Sequence, residues 1–135
     1  MQKLTLSDWE TKSAQLKIEG RAFVSGAYVN AAAEAVFECL SPVDGRFLAN
    51  VASCDAADAD HAVTVARATF DSGVWSRSSP VSRKQAMLRF ADLLDQNAEE
   101  LALLETLDMG KPISDALNVD VPCASAAIRW SGEAI

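Results

Sequence analysis

Glu99-Glu100-Leu101-Ala102-Leu103-Leu104-Glu105-Thr106-Leu107-Asp108-Met109-Gly110-Lys111-Pro112 is the stretch whose reading decides how the chain folds. Leu101, Leu104 and Leu107 recur at helical spacing. Glu99 and Glu100 stand where a helix start favours negative charge. Gly110 offers the left-handed stop a helix end favours, and Pro112 forbids continuation. The stretch predicts an amphipathic helix with a firm C-terminus. Asp108 runs against the pattern, because the helix dipole disfavours a carboxylate in the last turn by roughly 0.3–1 kcal/mol. Such an anion calls for a cationic neighbour, a donor or water. Spacing alone favours a solvated Asp108 or one paired with Lys111.

Upstream, Ser79-Pro80 pairs a cap with proline at the first helical position, opening a helix with Ala86, Met87, Phe90, Ala91 and Leu94 inward. Asn97 separates it from the Glu99 helix. Asp55 caps an earlier helix whose apolar face is Ala59, Ala62, Val63, Ala66 and Phe70, ended by Gly73. Before the helices come two expected hairpins. Ala22-Phe23-Val24 and Tyr28-Val29 flank the turn residues Ser25-Gly26. Ala35 to Leu40 is a strand stopped by Ser41-Pro42, and the turn to Gly45 returns the chain into Phe47 to Ala52. Thr5 or Ser7 caps a first helix running towards Gly20, with Leu6, Trp9 and Leu16 on one face. Downstream of Pro112 a short turn leads to a last helix from Asp120-Val121-Pro122. Its expected stripe is Val121, Ala124, Ile128, Ser131 and Ile135. The fold class is therefore α+β, mainly helical with N-terminal β-hairpins, and no internal boundary divides the chain.

The 135 residues are 50% hydrophobic and 23% charged, which is globular rather than disordered. Twelve basic residues against 19 acidic ones give a net charge of −7 and form no basic cluster, so neither nucleic acid nor an anionic membrane is an expected partner. No apolar run approaches the ~20 residues of a membrane span. Asp8 and Glu10 interrupt the N-terminal pattern where a signal peptide would have its apolar core, so a cytoplasmic location is expected. Cys39, Cys54 and Cys123 are odd in number and lack CxxC spacing, which argues against a disulfide framework or a zinc site. Half-buried, inert thiols are expected. Asp55 beside Cys54 would raise rather than lower a thiol pKa. His61 points off the apolar face and reads as a surface imidazole. No G-x-G-x-x-G lies between a strand and a helix, and no P-loop is present. Neither catalytic nor cofactor-binding residues are expected within these 135 positions.

The run Leu104 to Pro112 closely resembles a signature near the start of NAD(P)-dependent aldehyde dehydrogenases, worded E-T-L-D-T-G-K-P, with Met109 in place of Thr. Phe23-Val24-Ser25-Gly26 resembles that family's first strand and turn. Phe37-Glu38-Cys39-Leu40-Ser41-Pro42 followed by Gly45 resembles its F-E-T-x-[ND]-P-x-x-G. Trp75, Arg83 and Leu88 resemble its W…R…L helix entry. Ile128-Arg129-Trp130 resembles the bacterial branch acting on aminoaldehydes from polyamine breakdown, the γ-glutamyl-aminobutyraldehyde dehydrogenases among them. The matches follow the family's order over nearly the whole chain.

The resemblance implies an α/β aldehyde dehydrogenase fold, of which residues 1–135 would be the N-terminal part of the NAD(P)-binding domain. Family members are several times longer, so the chain is expected to be a fragment whose partner is the remainder of a parent enzyme. That enzyme would be a homo-oligomer using NAD or NADP and oxidising an aldehyde, with an ω-aminoaldehyde preferred. Its nucleophilic cysteine and cofactor loop would lie beyond Ile135, leaving the isolated chain inactive. Some members hold a monovalent cation with the matching aspartate and backbone carbonyls of the preceding strand. The corresponding positions are Asp108, Cys39 and Leu40, and the ion would be potassium or sodium. A helix end carries unsatisfied carbonyls, and a carboxylate added to them suits a hard cation. The competing expectation, from another class, is a stand-alone helical interaction module without chemistry.

Overall fold

The computed structural model describes residues 4–135. Helix α1 spans Leu6–Gln15, followed by strands β1 (Ala22–Val24), β2 (Ala27–Val29), β3 (Val36–Leu40) and β4 (Phe47–Ala52). Helices α2 (Ala56–Ser72), α3 (Pro80–Gln96) and α4 (Ala98–Met109) come next. A single turn, α5 (Ile113–Asp115), passes through a π-helical turn at Ala116–Asp120 into α6 (Val121–Glu133). The strands make two separate antiparallel pairs, β1 with β2 and β3 with β4. The mainly helical α+β class expected from the sequence is the one observed.

Local chemistry accounts for most of the boundaries. Thr5 caps α1, accepting from the Asp8 amide while the Asp8 carboxylate accepts from the Thr5 amide. Asp55 and Asp58 form the same reciprocal box at the start of α2, and Gly73 ends that helix. Ser79 caps α3 with Pro80 at its first position. Between β1 and β2, Ser25 and Gly26 both take positive φ, 55° and 80°, as a two-residue hairpin loop requires.

The core lies where the last helices meet. Ala102 of α4, Ala116 of the π turn and Val121 of α6 are buried together, covered by Ala98, Leu101, Ile113 and Leu117. Helix α4 is apolar around more of its circumference than the Leu101-Leu104-Leu107 stripe implied. Ala102 and Leu103 are buried beside that stripe, because α3, α5, the π turn and α6 all contact α4.

Several expectations about the helices need correction. On α3, Ala86 and Phe90 are exposed rather than inward. The last helix buries Val121, Ser125 and Gly132, leaves Ile128 and Ser131 half-buried, and exposes Ala124 and Ile135. The reason is close approach: a Cβ on Gly132 would lie 3.1 Å from Met87 Cβ of α3, and Ser125 Oγ donates to the Ala91 carbonyl at 3.3 Å. Small residues face α3, so apolar periodicity misplaces the stripe. The segment after Pro112 is helical rather than a loose turn. Finally, the apolar face of α2 is open within this chain, with Val63 68% and Phe70 54% exposed.

Candidate functional site

Sequence reasoning singled out Cys39, Leu40 and Asp108, and the fold brings them to one place. Helix α4 carries Asp108 in its last turn and ends at Gly110, whose φ of 75° lets the backbone leave in the left-handed conformation. The turn between β3 and β4 rests on that end: a Cβ on Gly110 would lie 3.2 Å from Pro42 Cγ. Ser41 anchors the turn. It is buried, its amide donates to the Arg46 carbonyl at 2.9 Å, and its own carbonyl accepts from Gly45 at 2.8 Å.

The end of β3 is thereby set beside Asp108. Cys39 Sγ donates to Asp108 Oδ1 at 3.2 Å. The β3–β4 pairing slips at this point, with a register shift between Cys39 and Leu40. Cys39 faces Ala49 and Leu40 faces Phe47, so the residue skipped is Leu48 of β4, and the ladder bends where β3 meets the end of α4. Asp108, the last carbonyls of α4 and the end of β3 together offer an oxygen-rich donor set of the kind hard cations take. Among the described residues, no three or more His, Cys, Asp and Glu side chains cluster as metal ligands, so such a site would depend on main-chain oxygens.

Lys111 does not pair with Asp108. Its Nζ reaches Glu105 Oε1 at 3.6 Å and forms a close ion pair with Asp120 Oδ2 in the π turn. Hydrogen bonding to Asp120 is the main reason its pKa is raised. Sequence reasoning missed this arrangement, since nothing local links Lys111 to a carboxylate in a segment read as a turn.

The three thiols differ in setting. Cys39 is half-buried, while Cys54 and Cys123 are exposed rather than half-buried as expected. The hydrogen bond to Asp108, with desolvation, pushes the Cys39 pKa up, opposite to what a nucleophile needs. His61 is exposed, as expected. A second polar cluster ties the last helices together: Arg129 of α6 reaches Asp92 at 2.9 Å and Asp95 at 2.8 Å, both on α3. These pairs are surface-exposed and fix helix orientation at small energetic gain.

The aldehyde dehydrogenase family model matches residues 28–135. This chain belongs to the aldehyde dehydrogenase family. The NADP/NAD-dependent aldehyde dehydrogenase PuuC of Escherichia coli (strain K12) is 48% identical over 130 residues, covering 96% of this chain and 26% of that protein. Two solved structures superpose closely. The indole-3-acetaldehyde dehydrogenase AldA of P. syringae, in complex with NAD+ and IAA, has a TM-score of 0.97 at 65% identity, covering 98% of this chain and 27% of that one. The γ-glutamyl-γ-aminobutyraldehyde dehydrogenase of Burkholderia cenocepacia has a TM-score of 0.96 at 52% identity, covering 97% and 27%. The chain thus spans about a quarter of the length of the relatives it matches. No helix among the described residues is long and apolar enough to cross a membrane.

Proposed function

We propose that these residues are the N-terminal segment of an NAD(P)-dependent aldehyde dehydrogenase, within its NAD(P)-binding domain. The observation that carries this reading is the ordered family match across residues 28–135. In the complete enzyme, the aldehyde adds to a cysteine thiolate, hydride passes to the nicotinamide, and a glutamate-activated water releases the carboxylate. Cys39, Cys54 and Cys123 take no part in that chemistry; they belong to the frame that supports it. An ω-aminoaldehyde is the proposed substrate, supported by the likeness to an aminobutyraldehyde enzyme. The likeness to an indole-3-acetaldehyde enzyme sets the alternative. A cytoplasmic homo-oligomer acting in polyamine breakdown completes the reading. Purified full-length enzyme should reduce NAD or NADP with an ω-aminoaldehyde faster than with indole-3-acetaldehyde. The reverse order would change the substrate, and no reduction with either aldehyde would refute the activity.

Asp108, with the backbone carbonyls of Cys39 and Leu40, is proposed to hold a potassium or sodium ion. Two observations support the fit: the approach of Asp108 to Cys39 at the end of β3, and Lys111 engaged elsewhere. The ion would neutralise a carboxylate that the α4 dipole disfavours, tying the helix end to the strand. Full-length enzyme should melt higher in potassium than in a bulky organic cation at matched ionic strength, and Asp108→Ala should erase the difference. Wild-type enzyme indifferent to the cation would rule the site out.

A further inference from the structure

The geometry points to Glu105 and Asp120 as positioning residues that hold the Lys111 ammonium away from Asp108 and so keep Asp108 open to a monovalent cation. This inference rests on the cation assignment above. Lys111 follows Asp108 by three positions, just past the left-handed Gly110 that ends α4. Glu105 and Asp108 are three apart on the same helix, and residues at that spacing lie about 5–6 Å apart at Cβ. A Lys111 Nζ that reaches Glu105 at 3.6 Å is therefore within one helical turn of Asp108. The same flexible side chain could close on either carboxylate.

Asp120 decides the choice. The π turn Ala116–Asp120 carries one extra residue relative to an α-helical turn and brings the Asp120 carboxylate onto Lys111. Asp120 Oδ2 is itself enclosed, while the Lys111 and Asp120 side chains keep 30% and 32% exposure. Two carboxylates on one ammonium leave a net negative charge there, and among the described residues Asp108 has no ion-pair partner within 4.0 Å. Removing both carboxylates frees the ammonium to close on Asp108, three positions before Lys111 in the chain. An ammonium on Asp108 and a metal cation on Asp108 exclude each other.

The test uses the full-length enzyme and follows the potassium-dependent rise in melting temperature, with tetramethylammonium making up the ionic strength. In the Glu105→Gln/Asp120→Asn variant, half-maximal stabilisation should need roughly tenfold more potassium or vanish, the least expected when a full charge competes at the site. Adding Lys111→Met should restore the wild-type potassium response, although it removes a further charged group. A purely structural role for the cluster predicts lower melting in both salts and no restoration by Lys111→Met. Lys111→Met alone should keep the wild-type potassium response. If the double variant does not fold, Asp120→Asn alone should weaken the response, again with restoration by Lys111→Met. An unchanged response in the carboxylate variants, or no restoration, overturns the inference. Wild type without any potassium response instead overturns the cation site, and the two failures are distinct.

Discussion

Cys39 Sγ donates a hydrogen bond to Asp108 Oδ1 at 3.2 Å, joining residues 69 positions apart in the chain. This contact couples thiol chemistry to the carboxylate. Asp108 accepts a hydrogen bond from the neutral thiol and would repel a thiolate, so the Cys39 pKa is raised. Removing the charge should reverse the effect. In Asp108→Asn, Cys39 should be alkylated by iodoacetamide faster than in wild type at mildly alkaline pH, as followed by peptide mass spectrometry. Equal or slower modification would show that the contact does not control the thiol.

Acid should loosen the N-terminus of α2. Asp58 accepts from the Asp55 amide at 3.0 Å and the Ala32 amide at 2.9 Å. Those backbone bonds, Asp55 first, lower its pKa from the usual 3.8. A carboxylate lowered on folding stabilises the native state above its unfolded pKa, and that contribution is lost as pH falls through the folded value. The contribution is thus complete at neutral pH and lost progressively below about pH 3.8. Amide exchange at Asp55 and Ala32, the two amides that donate to Asp58, should accelerate across that range when read by NMR. Asp58→Asn should already show the faster exchange at neutral pH. A flat profile in wild type would contradict the role of the capping box.

Gly110 should tolerate no β-carbon. Its φ of 75° costs an L-residue about 1–2 kcal/mol, and the added Cβ would press on Pro42 at 3.2 Å. Gly110→Ala in the full-length enzyme should lower the urea midpoint accordingly, with Gly110→Asn intermediate because asparagine tolerates the left-handed region. Equal midpoints for Ala and Gly would mean that the helix end relaxes.

What the sequence disclosed, and what it hid, divides by range. The Asp55 and Ser79 caps, the Gly110 stop and the Ser25-Gly26 turn act within a few residues, so they could be read directly. The Asp108–Cys39 neighbourhood came from resemblance, because no local spacing joins positions so distant. The inward face of α6 was misplaced because its packing against α3 uses Ser125 and Gly132, which no hydrophobic pattern marks. Asp108, the one partner the sequence offered Lys111 beside a solvated reading, is not its partner for a related reason: the π turn that delivers Asp120 has no periodic signature.

Exposed apolar surface gives the last prediction. Phe23 is 64% exposed, Val63 68% and Trp130 74%, on β1, α2 and α6 respectively. Phe23 and Phe70 line one open groove between the β1–β2 hairpin and α2. Isolated single apolar residues are ordinary on protein surfaces, but contiguous patches mark surfaces that are normally covered. Residues 1–135 expressed alone should therefore self-associate on size-exclusion chromatography and melt over a broad range. Charged substitutions at two patch positions, Phe23→Glu and Phe70→Glu, should shift the chain towards monomer. They lie on an open face and leave the Ala102–Ala116–Val121 core untouched. Adding a non-ionic detergent should move the wild type in the same direction. A wild-type chain that runs as a monomer and unfolds in one sharp transition would instead favour the self-sufficient helical module.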